Sequence, residues 1–386
     1  MSRIVLLGAT GHTGSLTLRQ LAAHSPDCEL LLLGRNVGAM DAAAAAVGVP
    51  ATTVRVDSSR AGELDDLLKP GDVLISTVGP FTDLGKHVAV SAAQTGVTYL
   101  DTTGEPPFVD WMFRRLGDLA ADHDSLLVPA FGYDFVPGHL AAARALEAAG
   151  RRAAAVRIGY FLAPGTVGTP GRQSIPTLRQ FAHMTTGGTH ASLARVTCEP
   201  SYRYRRAKGD DFGHESCLSA KDLLTFTVDG AERAAMTIGG SEHFGIPEAF
   251  PQLQQIDVGL GWFGTATRPV QRVASALGPL GRTKTARRSV SAAVDRVRWT
   301  TRRPMQPGRS VIVATACDAA GAPIESHALE GPEPYALTAG LLTWAALRCL
   351  ESWPKAAGVH GPLLAFGGTS AIADACRYAG MSSFAP

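Results

Sequence analysis

The chain opens on a hydrophobic run, Arg3-Ile4-Val5-Leu6-Leu7, that ends in Gly8-Ala9-Thr10-Gly11-His12-Thr13-Gly14 and passes into a helical pattern through Leu21. Apolar runs and helical patterns then alternate. Strands are expected at 29–33, 52–57, 72–78, 97–101 and 126–128, and helices at 40–46, 61–68, 85–95 and 107–122. Short, continuous apolar strands separated by helices predict a parallel sheet covered on both faces. Six strands in this rhythm fit a doubly wound, Rossmann-type α/β fold.

The pattern changes after Gly138. A helix is expected at 140–149, followed by alternating strands at 156–162, 223–228, 234–238 and 311–316. Alternation predicts a sheet with one solvated face. The expected organisation is a nucleotide-binding domain over 1–137 and a second α+β domain over 138–335, with a mostly antiparallel sheet. A C-terminal helical segment over 336–386 follows, led by an apolar helix at 337–350 that is expected to pack back on the first domain.

The first turn carries the chemistry. A strand feeding a glycine-rich turn that opens a helix suits a dinucleotide pyrophosphate. Glycines let backbone approach phosphate, and the helix N-terminus offers N–H groups and a positive dipole end. Gly8, Thr10, Gly11, His12, Thr13 and Gly14 are assigned to the cofactor. The spacing is one residue longer in its first gap than the common G-x-G-x-x-G, so the strand–turn–helix context carries the assignment.

An NAD site places an acid at the end of the second strand, for the ribose 2′-OH. Here that strand ends at Gly34-Arg35-Asn36. Arg35 suits a 2′-phosphate through charge-assisted hydrogen bonds, so NADP(H) is expected, with Arg35 and Asn36 at the adenosine phosphate. Asp57, at the end of the third strand, joins the cofactor set.

Ligands of such sheets sit beyond the carboxyl ends of the strands. The fourth strand ends at Gly79-Pro80-Phe81. Gly79 allows close approach, Pro80 stiffens the loop, and Phe81 is expected over the ribose or nicotinamide. Asp101 and Glu105 follow the fifth strand and are candidate catalytic carboxylates. Capping a helix or bonding loop amides is the competing role for both. Tyr133 and Asp134 follow the sixth strand between Gly132 and Pro137. Tyr133 is a candidate proton donor, and Asp134 either joins the chemistry or orders the loop.

The net charge of +2 and the low aromatic content give no sign of a nucleic-acid reader. No apolar run reaches the roughly 18 residues of a membrane span. Six scattered cysteines form no C-x-x-C, so no metal site is indicated. With no signal-peptide pattern, a cytoplasmic protein is expected. His87, His183, His190, His214 and His243 show no metal spacing, and His243 is the best of them for a substrate pocket. Residues 282–303 hold eight basic side chains against one acid, Asp295. They read either as a solvated segment or as a patch attracting an anionic substrate or acidic carrier protein.

The chain resembles the saccharopine dehydrogenase-like oxidoreductases, a group that includes trans-acting enoyl reductases. The resemblance rests on Gly8–Gly14, Val78-Gly79-Pro80-Phe81, the segment Tyr99-Leu100-Asp101-Thr102-Thr103-Gly104-Glu105, and Gly132-Tyr133-Asp134-Phe135-Val136-Pro137. Gly239-Gly240-Ser241-Glu242-His243-Phe244 and Gly261-Trp262-Phe263-Gly264 look like features of a bacterial branch. The resemblance implies an NADP-type domain, an inserted substrate domain, and reduction or oxidation of a C=N or, in one branch, a C=C bond. The substrate is then a small molecule or an acyl chain. An acyl carrier protein is a candidate partner and a homodimer a candidate state. A non-catalytic NADP(H)-binding redox sensor is the rival reading.

Overall fold

The computed structural model describes residues 3–24, 28–165, 167, 178–186, 199–206, 213–277, 308–352 and 356–384. The basic segment 282–303 and His190 lie outside the described residues. The chain divides into two units, one of 1–136 and 335–380, the other of 137–334 and 381–386.

In the first unit β1 (Arg3–Leu7), β2 (Glu29–Gly34), β3 (Thr52–Arg55), β4 (Val73–Ser76), β5 (Thr98–Asp101) and β6 (Leu126–Val128) form a parallel sheet. Their order is 6-5-4-1-2-3, with a seventh short strand, Gly358–Val359, added beside β6. This is the doubly wound arrangement, and it puts the chain reversal between β1 and β4, where such sheets bind ligands. The middle strands are buried end to end, as in Val73-Leu74-Ile75-Ser76, because helices cover both faces. Helices α1 (His12–His24), α2 (Val37–Val47), α3 (Phe81–Ala93), α4 (Pro106–Arg115) and α5 (Gly117–Asp122) make the crossovers. The expected helix at 61–68 is instead a series of turns, because Gly62 takes φ +81° where a helix needs a negative φ. The expected helix at 107–122 breaks at Leu116 into α4 and α5.

At the end of the sheet remote from the carboxyl ends, Arg3 is buried against Asp72. Its Nε and terminal nitrogen donate to the two carboxylate oxygens at 3.1 and 2.6 Å, and the same terminal nitrogen reaches the Leu67 carbonyl. Removing one partner leaves an unpaired buried charge. Asp72→Asn is therefore expected to cost about 3–5 kcal/mol in urea unfolding.

The second unit begins with α6 (Val136–Ala149) and builds a nine-stranded mixed sheet. Its strands are β7 (Ala155–Pro164), β8 (Pro200–Arg205), β9 (His214–Leu218), β10 (Leu223–Val228), β11 (Ala231–Ile238), β12 (Gln255–Leu260), β13 (Gly308–Cys317) and β14 (Pro323–Gly331), with Ser382–Phe384 against β14. Among the described residues only β12 and β7 run parallel, and the other pairings are antiparallel. Its core joins Phe161, Phe226, Val228, Ala235, Val311 and Val313.

The segment 336–386 is not a single helical unit. The long helix Pro334–Glu351 and helices Pro362–Phe366 and Thr369–Tyr378 follow one another to residue 378, and the last residues return to the second unit's sheet.

Candidate functional site

The carboxyl ends of β1, β2, β4, β5 and β6 gather most of the predicted site residues at one edge of the first unit. The glycine turn lies between β1 and α1. Gly8 takes φ +97°, and a Cβ there would fall 2.6 Å from the Thr77 hydroxyl. A Cβ on Gly14 would fall 2.1 Å from the Gly8 carbonyl oxygen, so α1 packs directly on the turn. Gly11 differs. No protein atom except the Gly8 oxygen, at 3.4 Å, would meet its Cβ, and Thr10 and Gly11 are exposed. Two glycines are thus required by the packing, while the third keeps the open tip of the turn low. The helix behind that tip has N–H groups at its start without intrahelical acceptors. These features fit a dinucleotide pyrophosphate.

Sequence reasoning missed Thr77, whose hydroxyl donates to the Leu7 carbonyl at 3.1 Å and holds the turn against β4. A hydroxyl at the end of a buried apolar strand was the available signal. Sequence reasoning also missed Tyr335, whose ring meets the His12 ring edge-on at 4.9 Å.

At the end of β2, Arg35 is exposed and Asn36 is the N-cap of α2, its Oδ1 accepting from the Ala39 amide at 3.1 Å. The side chain of Asn36 is thus already committed to a helix. Asp57 accepts from the Ser59 hydroxyl at 2.6 Å and the Ser59 amide at 3.1 Å, and pairs with Arg60 at 3.5 Å. The Ser59 hydroxyl, then its amide, hold this carboxyl below the ordinary range, with Arg60 and Arg35 adding to the effect.

The β4 exit corrects one expectation. Gly79 is exposed, but the Phe81 ring is buried in the core against Phe108, with centroids 5.6 Å apart. Phe81 therefore packs the sheet and is not available to cover a nucleotide. Its backbone amide donates to Glu105 Oε1 at 2.9 Å, while the Thr82 amide and hydroxyl donate to Oε2 at 2.9 and 2.7 Å. The buried Glu105 carboxylate thus caps the N-terminus of α3 and ties the β4 exit to the β5 exit. Both oxygens are engaged in this, so Glu105 serves as a structural tie and not as the catalytic carboxylate expected from its place after β5. Glu105→Gln would turn an amide NH₂ toward one of these donors. The expected loss is about 2–4 kcal/mol in chemical unfolding.

Asp101 performs the next tie. Its Oδ1 accepts from the Thr103 and Ala130 amides, each at 2.9 Å, and its carbonyl accepts from Phe131 at 2.7 Å. The β5 and β6 exits are joined in this way. Burial pushes its carboxyl up to about 6, against the pull of the Ala130 and Thr103 amides and the Tyr99 phenol. Through Oδ1, Asp101 bonds the loop amides.

Asp134 is different. No hydrogen bond or ion pair among the described residues reaches its carboxyl, and burial alone pushes it up to about 7. It lies over the β5 exit, with Oδ2 3.0 Å from where a Cβ on Gly104 would be. The neighbouring Tyr133 is buried, and its amide donates to Thr338 Oγ1 at 3.0 Å.

In the second unit His243 is buried, and its Nδ1 accepts from the Gly240 amide at 3.1 Å. Burial pushes it down to about 4, so the ring is neutral at pH 7. It lines a small cleft with Tyr202, Cys217 and Asp257. Among the described residues no cluster of metal-ligating side chains occurs. No described helix is long and apolar enough to cross a membrane.

Residues 4–127 match the family model of the saccharopine dehydrogenase NADP-binding domain. A trans-acting enoyl reductase of Mycobacterium ulcerans is 33% identical over 140 residues, which cover 36% of this chain and 34% of that protein. A mitochondrial saccharopine dehydrogenase-like oxidoreductase of Arabidopsis thaliana is 34% identical over 149 residues, covering 36% of this chain and 33% of that protein. The chain thus spans about a third of the length of the curated relatives it matches. Among solved structures, saccharopine dehydrogenase (L-Glu forming) of Saccharomyces cerevisiae aligns with TM-score 0.59 at 13% identity over 99% of this chain and 100% of that one. Homospermidine synthase of Legionella pneumophila aligns with TM-score 0.57 at 11% identity, over 99% and 91%. At such identities these two show a shared fold. Residues 4–127 thus match the NADP-binding domain of the saccharopine dehydrogenase family, and the likeness to that family rests on this part of the first unit.

Proposed function

We propose that the protein is an NADPH-dependent reductase that delivers hydride to a C=N bond, or to an activated C=C bond, of a small metabolite or acyl chain. The observation that carries this reading is the pairing of an NADP-type glycine turn with a carboxyl, Asp134, that lies over the β5 exit at the same sheet edge and is pushed up to about 7 by burial. NADPH, when bound, supplies the hydride. The chain's residues do the rest. The start of α1 faces the pyrophosphate, and Arg35 pairs the 2′-phosphate. Asp134 holds the proton that the acceptor takes up after hydride addition, on nitrogen for an imine or on carbon for an enoyl group. Asp101 and Glu105 hold the loops and exchange no proton with substrate.

Two relatives named as trans-acting enoyl reductases support the C=C branch. An acyl carrier protein presenting the chain is part of the same reading. A homodimer and a cytoplasmic setting complete the reading. The test has two steps. NADPH and NADH are titrated by nicotinamide fluorescence. NADPH consumption is then followed with a cyclic imine and with a 2-enoyl thioester. Tight NADPH binding, weaker NADH binding and turnover of either substrate are expected. Tight NADPH binding with no turnover of either would favour the non-catalytic redox sensor. No nucleotide binding would overturn both.

A further inference from the structure

The β6-exit loop that carries Asp134 is tied mostly to its own surroundings. Ala130 and Phe131 bond to Asp101, the Phe135 amide donates to the Ala130 carbonyl at 2.8 Å, and the Val136 amide to the Gly132 carbonyl at 3.1 Å. Two contacts come from far along the chain: the Phe131 ring meets the Phe366 ring at 5.1 Å, and the second involves the residue next to Asp134. Thr338, in the first turns of the long helix Pro334–Glu351, accepts the Tyr133 amide 205 residues away. Its methyl also closes the other side of the loop, since a Cβ on Gly132 would fall 2.8 Å from Thr338 Cγ2. Tyr133, just before Asp134, is thus held by Thr338, and Phe135, just after it, by the Ala130 carbonyl.

We infer that Thr338 is a positioning residue for Asp134, fixing through its hydroxyl how far the carboxyl stands from Gly104 and from water. The inference rests on the proposed role of Asp134 and names what holds it. The argument is one of geometry. The Tyr133 amide is buried, and a buried N–H without an acceptor carries a desolvation penalty that the loop relieves by moving toward water. Asp134 Oδ2 would stand 3.0 Å from a Cβ at Gly104, so the carboxyl lies closely over the β5 exit. The shift that gives the Tyr133 amide a new partner is toward water, and it hydrates the neighbouring carboxyl. The other titratable groups on the facing β5 exit are Asp101 and Glu105, both turned to backbone amides.

The test follows the Asp134 carboxyl directly, by NMR of protein labelled at the aspartate carboxyl carbon, with Asp134→Asn identifying its signal. Wild type is compared with Thr338→Val, which keeps the shape and loses the acceptor, and with Thr338→Ser, which keeps the acceptor. The expected result is a midpoint lowered by at least about one pH unit in Thr338→Val, as water reaches the carboxyl, and a wild-type midpoint in Thr338→Ser. An unchanged midpoint in a folded Thr338→Val protein overturns the inference. Should Thr338→Val fail to fold, Gly132→Ala supplies the same displacement from the other side. Its effect on the midpoint must shrink when combined with Thr338→Ser, which removes the methyl that the new Cβ strikes. Additive effects overturn the inference. Full turnover in Asp134→Asn would sink the reductase role of Asp134 while leaving the titration result standing, so the two failures are distinguishable.

Discussion

Asp134→Asn is expected to lower kcat by about 10²–10⁴-fold, the range general acids supply, with NADPH affinity little changed. The pH dependence identifies the cause. A carboxyl raised to about 7 is protonated and competent below that pH, so wild-type kcat should fall as pH rises through about 7, while the residual rate of the Asn variant stays flat there. The same residue predicts a gain in stability. Its folded pKa lies above its unfolded one, so its favourable contribution is complete below about 4 and is lost as pH rises through about 7. Above that pH the fold carries a partly desolvated charge with no partner among the described residues. The Asn variant carries none, so its advantage over wild type should grow between pH 4 and 7 and then level off. Three pH units correspond to about 4 kcal/mol. Partial exposure of the side chain brings the expected plateau to about 1–3 kcal/mol. Urea midpoints measured from pH 4 to 8 check the sign. A variant less stable than wild type above pH 7 would mean that the carboxylate has a partner in solution. A gain in stability with a loss of rate is the mark of a group kept for chemistry at the expense of packing.

The first unit was readable from its sequence because its signals are local. Strand β1, the glycine turn and α1 lie within 24 residues, and the spacing from the turn to Arg35 is set by one helix and one strand. What the acids do was not readable in the same way. Glu105 meets amides 23 and 24 residues earlier, Asp101 meets one 29 residues later, and Thr338 meets one 205 residues earlier. Such partners are chosen by where strands end in space, and no periodicity records that. Phe81 illustrates the same limit. Its place after Gly-Pro at a strand end suggested a ligand-facing ring, yet the start of α3 turns it into the core beside Phe108. In the second unit, β9 and β14 escaped because their exposed positions carry Glu215, Ser216, Glu325 and Ser326, so neither shows an apolar stripe. The helix expected at 61–68 failed at Gly62, where apolar spacing was outweighed by one backbone angle.

Arg35→Ala is expected to weaken NADPH binding by about 10–150-fold and to leave NADH within about twofold, since a hydrogen bond to a charged group is worth about 1.5–3 kcal/mol. The selectivity is the point of the prediction. Arg35 is exposed and makes no hydrogen bond among the described residues, so its removal disturbs no packing. The neighbouring residue gives the contrast. Asn36 caps α2, so Asn36→Ala should cost about 1 kcal/mol of stability and weaken both nucleotides alike. Arg35→Asp goes further. It installs the acid that a ribose 2′-hydroxyl needs and repels a 2′-phosphate, so preference should turn toward NADH. Asp57 lies close enough for Arg35 to help hold it ionised, which places a negative charge beside the arginine even without nucleotide. Arg35 is therefore already partly compensated, and raising ionic strength should weaken NADPH binding to wild type more than to Arg35→Ala. Equal losses of NADPH and NADH in Arg35→Ala would show that the arginine supports the adenosine end as a whole, and would move the 2′-phosphate contact to Arg60, the other guanidinium beside Asp57.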